Sequence, residues 1–245
     1  MTPRTLLIRG MLVGVVAAAL AFAFASLFGE PQVNSAIAVE DAHAMPGMAG
    51  SELVSRGMQS TLGLGVAVVV YGAALGGIFA LAFAFAYGRV GGLAARGTAL
   101  LVAGVGFVAV FLVPYLKYPA NPPSVGHPDT IGRRTALYFT MLFITVAGAI
   151  AAVLVARSLA PRLGVWNAVL VGVGGFLVIA VVAGLVLPGI NEVPADFPAT
   201  LLWRFRLASL GMQALLWTTF GLLFGALTER SARRQAQAGH LAPVG

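Results

Sequence analysis

Residues 165–206 read VWNAVLVGVGGFLVIAVVAGLVLPGINEVPADFPATLLWRFR. The first part, 165–187, is an uncharged apolar run, long enough at about 1.5 Å rise per residue to carry a helix across the roughly 30 Å hydrocarbon core of a bilayer. It stops at Pro188. A loop punctuated by Pro188, Pro194 and Pro198 then carries two acids, Glu192 and Asp196, before Arg204 and Arg206 lead into another apolar run. Working outward, comparable runs lie near 10–28, 62–87, 97–116, 136–156 and 207–227. The pattern predicts an all-α integral membrane protein with six transmembrane helices, arranged as three consecutive hairpins over 10–87, 97–156 and 165–227. The whole chain, 1–245, reads as a single polytopic membrane domain with an outer loop over 29–61 and a cytoplasmic tail over 228–245.

Composition agrees. Hydrophobic residues make up 59% of the chain and charged residues 9%, against about 25% charged in soluble domains. The absence of cysteine excludes a disulfide framework and a thiolate metal site. The formal charge of +7 would suggest nucleic acid in a soluble protein, but here its distribution matters more. With the N-terminus and alternate loops inside, nine arginines from Arg4 to Arg234 face Glu229 alone, whereas six cations outside face seven acids. The positive-inside rule then puts both termini in the cytoplasm. The basic residues report topology and anionic lipid, and require no nucleic-acid partner.

The first run follows Arg4 and Arg9 and ends at Ala23-Phe24-Ala25, so it also has features of a signal peptide, whose removal would leave five crossings. Its length and the lack of a clearly cleavable polar region after Ala25 favour a retained helix. The glycine pairs Gly10/Gly14, Gly72/Gly76 and Gly221/Gly225 have the spacing that lets membrane helices approach closely. Residues 55–59, SRGMQ, and 209–213, SLGMQ, suggest equivalent places for Gln59 and Gln213, and the second helix of each hairpin begins near an arginine: Arg56, Arg134 or Arg206. A threefold repeat of two-helix units would produce these echoes. So would the ordinary occurrence of proline and arginine at membrane loops.

Backbone in lipid must pair internally, so the prolines must interrupt helix at the surface or against a protein-lined cavity. Pro114 and Pro188 fall where they would end or kink the third and fifth helices. Behind them come Lys117, Tyr118, Asn121, Asn191, Glu192 and Asp196. Converging from two loops, these oxygen groups would form an acidic vestibule suited to a divalent transition-metal ion. The alternative is a polar loop held by arginine–carboxylate pairs, with Arg204 nearby and Arg206 bound to Glu192 or Asp196. Arg206, Leu210, Gln213 and Trp217 share one helix face, where Gln213 either bonds a neighbouring helix or lines a path.

In the first outer loop, His43-Ala-Met45-Pro-Gly-Met48 offers one imidazole and two thioethers, a weak set leaning toward Cu(I), or an incidental cluster. His127 in the second outer loop has the same two readings. No Walker A, His-Glu-x-x-His or paired intramembrane histidine motif occurs, so catalysis has no support in the sequence.

The strings VPYLKYPANPP (113–123) and LPGINEVPADFPA…LLWRFR (187–206) resemble the CbtA family of proposed cobalt transporter subunits, and the resemblance runs from the N-terminal helix to about Glu229. It implies a multi-pass protein of the bacterial cytoplasmic membrane that takes up Co(II) for cobalamin synthesis. The resemblance also implies a small single-helix partner, CbtB, and no permanently bound cofactor, while leaving room for a homo-oligomer. Related members often carry several histidines in the first outer loop, where this chain has only His43, which moves weight to Asn121, Glu192 and Asp196. A non-transporting scaffold or partner-binding subunit and a copper-handling protein are the competing readings.

Overall fold

The structure, a computed structural model, describes residues 2–43, 64–123 and 125–241, with side chains for 2–40, 65–123 and 125–237. The described residues are helical and contain no strand. The α-helices are α1 (Pro3–Phe24), α2 (Glu30–His43), α3 (Leu64–Ala86), α4 (Ala95–Gly106), α5 (Val113–Lys117), α6 (Ile131–Val186), α7 (Ala199–Thr219) and α8 (Gly225–Leu241). π-Helical segments Ala25–Gly29, Phe107–Leu112 and Phe220–Phe224 join α1 to α2, α4 to α5 and α7 to α8. Among the described residues, five continuous stretches are long and apolar enough to cross a membrane: Pro3–Glu40, Gly65–Ala86, Ala95–Lys117, Pro128–Val186 and Ala199–Gln237. Their outward faces are apolar, as Phe143, Trp166 and Leu185, exposed by 72%, 73% and 80%, illustrate on α6. Such faces are at home in hydrocarbon.

The runs expected as separate helices at 136–156 and 165–187 both fall on α6, which doubles back at Gly164. There φ is 76° and ψ 157°, a conformation essentially confined to glycine. The two legs pack antiparallel: a Cβ on Gly148 would meet Ile179, and one on Gly172 would meet the Ala152 carbonyl oxygen at 2.7 Å. Gly164 therefore acts as a hairpin turn without a loop.

The chain forms two compact units. The first comprises Met1–Leu27, Ala44–Gly104 and Gly211–Gly245. In it α1 lies antiparallel to α3, with backbones touching where the sequence places its glycine pairs. A Cβ on Gly14 would lie 2.8 Å from Gly76 Cα, and one on Gly72 2.8 Å from Ala18 Cβ. Gly221 and Gly225 similarly face Ala103 and Ala99 of α4 at 3.1 Å from an added Cβ. Phe79 and Phe83 of α3 stack on or edge against Phe220 and Phe224, with ring centroids 4.9 to 5.3 Å apart. One end of this unit is tied by polar contacts. Arg9 donates to Thr228 Oγ1 at 3.1 Å and Ser231 Oγ at 2.6 Å, and Glu229 accepts the Arg96 N–H at 3.1 Å. That carboxylate caps the free amides at the start of α4, where the helix dipole favours negative charge.

The second unit comprises Phe28–His43 and Val105–Leu210. The span 29–61, expected as loop, is helical over its described part: α2 continues α1 through the π-turn Ala25–Gly29, and Pro31 lies just past that turn. The helix is held by Ala36, fully buried against Val125 and Phe197, with Val39 beside it. Pro114 does not end its helix. The preceding π-turn shifts the hydrogen-bond register, so Val113 N–H reaches Val108 O rather than Ala109 O. Next in that register, Pro114 has no N–H for Ala109 O. Thr145 Oγ1 from α6 supplies the missing donor at 2.6 Å, inside a fully buried site.

Candidate functional site

The second unit brings the two proline loops together. Tyr118 leaves α5 in a non-helical conformation (φ −127°, ψ 77°), which directs the following Pro-rich stretch sideways rather than onward. Four hydrogen bonds then tie that stretch to the 187–206 segment. Tyr118 Oη donates to Pro188 O at 2.8 Å and Tyr115 Oη to Arg206 O at 2.7 Å. Arg206 donates from Nε to Ala120 O at 3.3 Å and from Nη2 to Asn121 Oδ1 at 2.9 Å. Between the loops lies a cavity of about 570 Å³, with Tyr115, Tyr118, Asn121, Arg134, Glu192 and Arg206 among its polar walls and Phe111, Ile131 and Phe139 among its apolar ones.

Among the described residues, Glu192 is the carboxylate that lines this cavity. Its Oε2 accepts the His127 N–H at 3.0 Å and the Thr130 hydroxyl at 2.9 Å. Arg134 Nε stands 3.5 Å from the same oxygen, an ion pair but too long for a good hydrogen bond. The Thr130 hydroxyl first, then the His127 amide, hold the Glu192 carboxyl below its ordinary pKa, with the Arg134 charge adding to them. Thr130 and His127 are placed by the short 3₁₀ turn Pro128–Thr130, which opens α6. Gly126 completes the frame: its φ of 111° suits glycine, and a Cβ there would meet Arg134 Cζ at 2.8 Å. Arg134 lies against bare backbone and donates from Nη2 to His127 O at 3.3 Å.

The residues singled out in the sequence divide into three groups. Asn121, Asn191, Glu192, Tyr118 and Arg206 line the cavity. Asn191 uses its Oδ1 on the Val193 N–H, at 3.4 Å. The second group stands around the loops: Lys117 places its ammonium 5.8 Å over the Tyr118 ring, while His127, Asp196 and Arg204 have exposed side chains. Gln213 is half-buried within α7. The third group, the His43 side chain with Met45, Met48, Arg56 and Gln59, falls outside the described residues. The sequence offers Glu192 or Asp196 as the partner of Arg206, and for Glu192 the structure differs. Arg206 does not serve as the partner of Glu192; it spends its donors on Ala120 and Asn121, and Arg134 takes the place beside the carboxylate. The reason is reach: Glu192 faces the turn that opens α6, one helical turn from Arg134, whereas Arg206 faces the Tyr118–Asn121 bend.

Sequence reading missed Thr130, Gly126 and Tyr115. A signal existed for the first two, since Gly126-His127-Pro128-Asp129-Thr130 is a turn followed by a helix start, and Arg134 stands one turn beyond it. Tyr115 within an apolar run gave none. Among the described residues no three His, Asp or Glu side chains come together as a metal-binding group. The cavity instead offers the Glu192 carboxylate with amide and hydroxyl oxygens, a hard-donor set.

A family model described as "Probable cobalt transporter subunit (CbtA)" matches residues 3–229 of the chain. No curated protein matches. No solved structure matches either.

Proposed function

The chain belongs to the CbtA family, and from that membership together with the oxygen-lined cavity we propose that it takes up Co(II) across the bacterial cytoplasmic membrane for cobalamin synthesis. It does so as a multi-pass subunit rather than an enzyme. In this reading α6 contributes two crossings about Gly164, which raises the five continuous stretches to six crossings and leaves both termini in the cytoplasm. The ends of α1 and α8 joined by Arg9, Thr228 and Ser231 then face inward, where their arginines satisfy the positive-inside rule. The proline loops face outward. A small single-helix partner, CbtB, completes the transporter, and Co(II) is its cargo, with no cofactor bound permanently.

The observation that carries the proposal is the meeting of Asn121, Asn191 and Glu192 at one cavity between the two family-bearing loops. Glu192, held ionised by Thr130 and His127, provides the charge that receives the cation, and the amide oxygens replace part of its water shell. Asp196 on the exposed part of the same loop attracts the ion toward the mouth. Without a nucleotide-binding motif, the inward-negative potential supplies the drive, about 2 × 2.3 kcal/mol per 100 mV for a divalent ion. The test is cobalt accumulation in cells carrying Glu192→Gln or Asp196→Asn, normalised to protein in the membrane. Reduced accumulation supports the vestibule; unchanged uptake in both variants and their double removes it. A second reading draws on the hydrogen bonds that occupy Glu192: the loops would be architecture, and the chain a scaffold for its partner. Glu192→Gln separates the two, because the amide still accepts from His127 and Thr130 but carries no charge.

A further inference from the structure

We propose that Arg134 sets how tightly the cavity holds its cation: it is a counter-ion built in beside Glu192 that keeps the site weak enough to release what it binds. The inference rests on the uptake reading and gives that reading an affinity-setting residue. Among the described residues, the hydrogen bonds and the ion pair of the Glu192 carboxylate all fall on Oε2: the His127 N–H at 3.0 Å, the Thr130 hydroxyl at 2.9 Å and Arg134 Nε at 3.5 Å. Oε1 carries none of them, so it is the oxygen left to a ligand, on a side chain that lines the cavity and keeps 12% of its surface exposed. The two short hydrogen bonds fix the carboxylate. Arg134, beyond good hydrogen-bond length, acts on it by charge. The guanidinium is itself held from the other side: Nη2 donates to His127 O at 3.3 Å, and the group rests on Gly126, where a Cβ would meet Cζ at 2.8 Å. It therefore stays in place when a cation reaches Oε1. The second guanidinium of the cavity, Arg206, is committed to Ala120 O and Asn121 Oδ1. An arriving divalent ion is thus drawn by Glu192 and opposed by Arg134. A unit positive charge roughly 6 Å from a divalent ion weakens its binding about tenfold even at the dielectric of water. Transport gains from this, because an ion site has to be left as well as entered.

The test titrates full-length protein in phosphatidylcholine nanodiscs with cobalt(II) chloride, read by calorimetry, and follows radioactive Co(II) flux into liposomes at rising cobalt concentration, with and without the small partner. Arg134→Gln, and Arg134→Met as a second neutral variant, are expected to bind Co(II) about tenfold more tightly than wild type. Their KM falls with Kd, while maximal flux is no higher, because release becomes harder. Arg134→Lys, which keeps the charge, gains less than Arg134→Gln, and Arg204→Gln, a charge lost from the same loop segment outside the cavity, shifts Kd less than about twofold. A purely structural Arg134 gives the opposite sign, since a loosened site binds more weakly. The proposal is overturned if a folded neutral variant binds Co(II) no more tightly than wild type, or if Arg204→Gln tightens binding as much as Arg134→Gln does. Failure of both neutral variants to fold overturns it as well, because the charge would then be holding the loops together. Absence of Co(II) binding and flux in wild type and variants alike removes the uptake reading and this inference with it; cobalt binding by wild type without a gain in the neutral variants removes this inference alone.

Discussion

Thr145→Val probes the way this chain tolerates a proline inside a membrane helix. Valine has nearly the shape of threonine, so the substitution opens no cavity and removes only the hydroxyl. Thr145 Oγ1 lies 2.6 Å from Ala109 O, and also 3.0 Å from Met141 O and Leu142 O of its own helix. One hydroxyl proton serves one of these well, and the shortest contact is the one whose carbonyl lacks an N–H donor because Pro114 follows the π-turn. An unsatisfied buried acceptor costs about 1–3 kcal/mol, but hydrogen bonds between membrane helices average about 0.6 kcal/mol with a maximum near 1.7. Full burial, the short distance and the missing alternative donor place Thr145→Val toward the upper membrane figure, about 1–1.7 kcal/mol. The assay is reversible unfolding in mixed micelles at rising dodecyl sulfate fraction, run as a double-mutant cycle with Pro114→Ala. Alanine restores an N–H opposite Ala109 O, so Thr145→Val is expected to cost at least about 0.5 kcal/mol less in that background, as coupled neighbours do. Thr145→Ser is expected to stay near wild type. Equal cost of Thr145→Val in both backgrounds would refute the link between proline and threonine.

Two further expectations concern other parts of the molecule. Gly14→Val places side-chain atoms against the Gly72 and Gly76 backbone, and is expected to cost at least the roughly 1–3 kcal/mol of an overpacked core. Gly104→Ala, with nothing within 4 Å of its new Cβ, stays neutral or slightly stabilising in the same dodecyl sulfate unfolding assay. The lowered pKa of Glu192 gives a pH signature whose sign follows from linkage. Its contribution is complete above the unfolded carboxyl pKa of about 4.3, and falls away as pH drops through the lower folded value. Unfolding temperatures of wild type and Glu192→Gln should therefore converge in acid and separate above that range; a gap that widens in acid contradicts the assigned hydrogen bonds.

What could be read in the sequence was what a few neighbouring residues decide. The glycine pairs at 10/14, 72/76 and 221/225 lie where helix backbones meet, because small residues at a four-residue spacing leave one smooth face whatever the partner. The two proline loops do meet, and they frame the cavity. What escaped was decided by distant residues. The helix Glu30–His43 depends on Ala36 finding Val125 and Phe197, which no local pattern announces in a polar stretch. The continuity of the helix through Pro114 depends on a π-turn and on Thr145, 31 positions later in the numbering. The exchange of Arg206 for Arg134 beside Glu192 turned on which bend each arginine reaches, and both stand at the start of an apolar run.

The central claim is that the cavity between the proline loops admits cobalt. Its most direct test is radioactive Co(II) flux into liposomes containing the purified protein, alone and with its small partner, under an inward-negative potassium-diffusion potential. The account predicts cobalt entry above protein-free liposomes in at least one of these conditions, and a several-fold lower rate for Glu192→Gln at equal incorporation. No flux in either condition, or a Glu192→Gln rate equal to wild type, contradicts it.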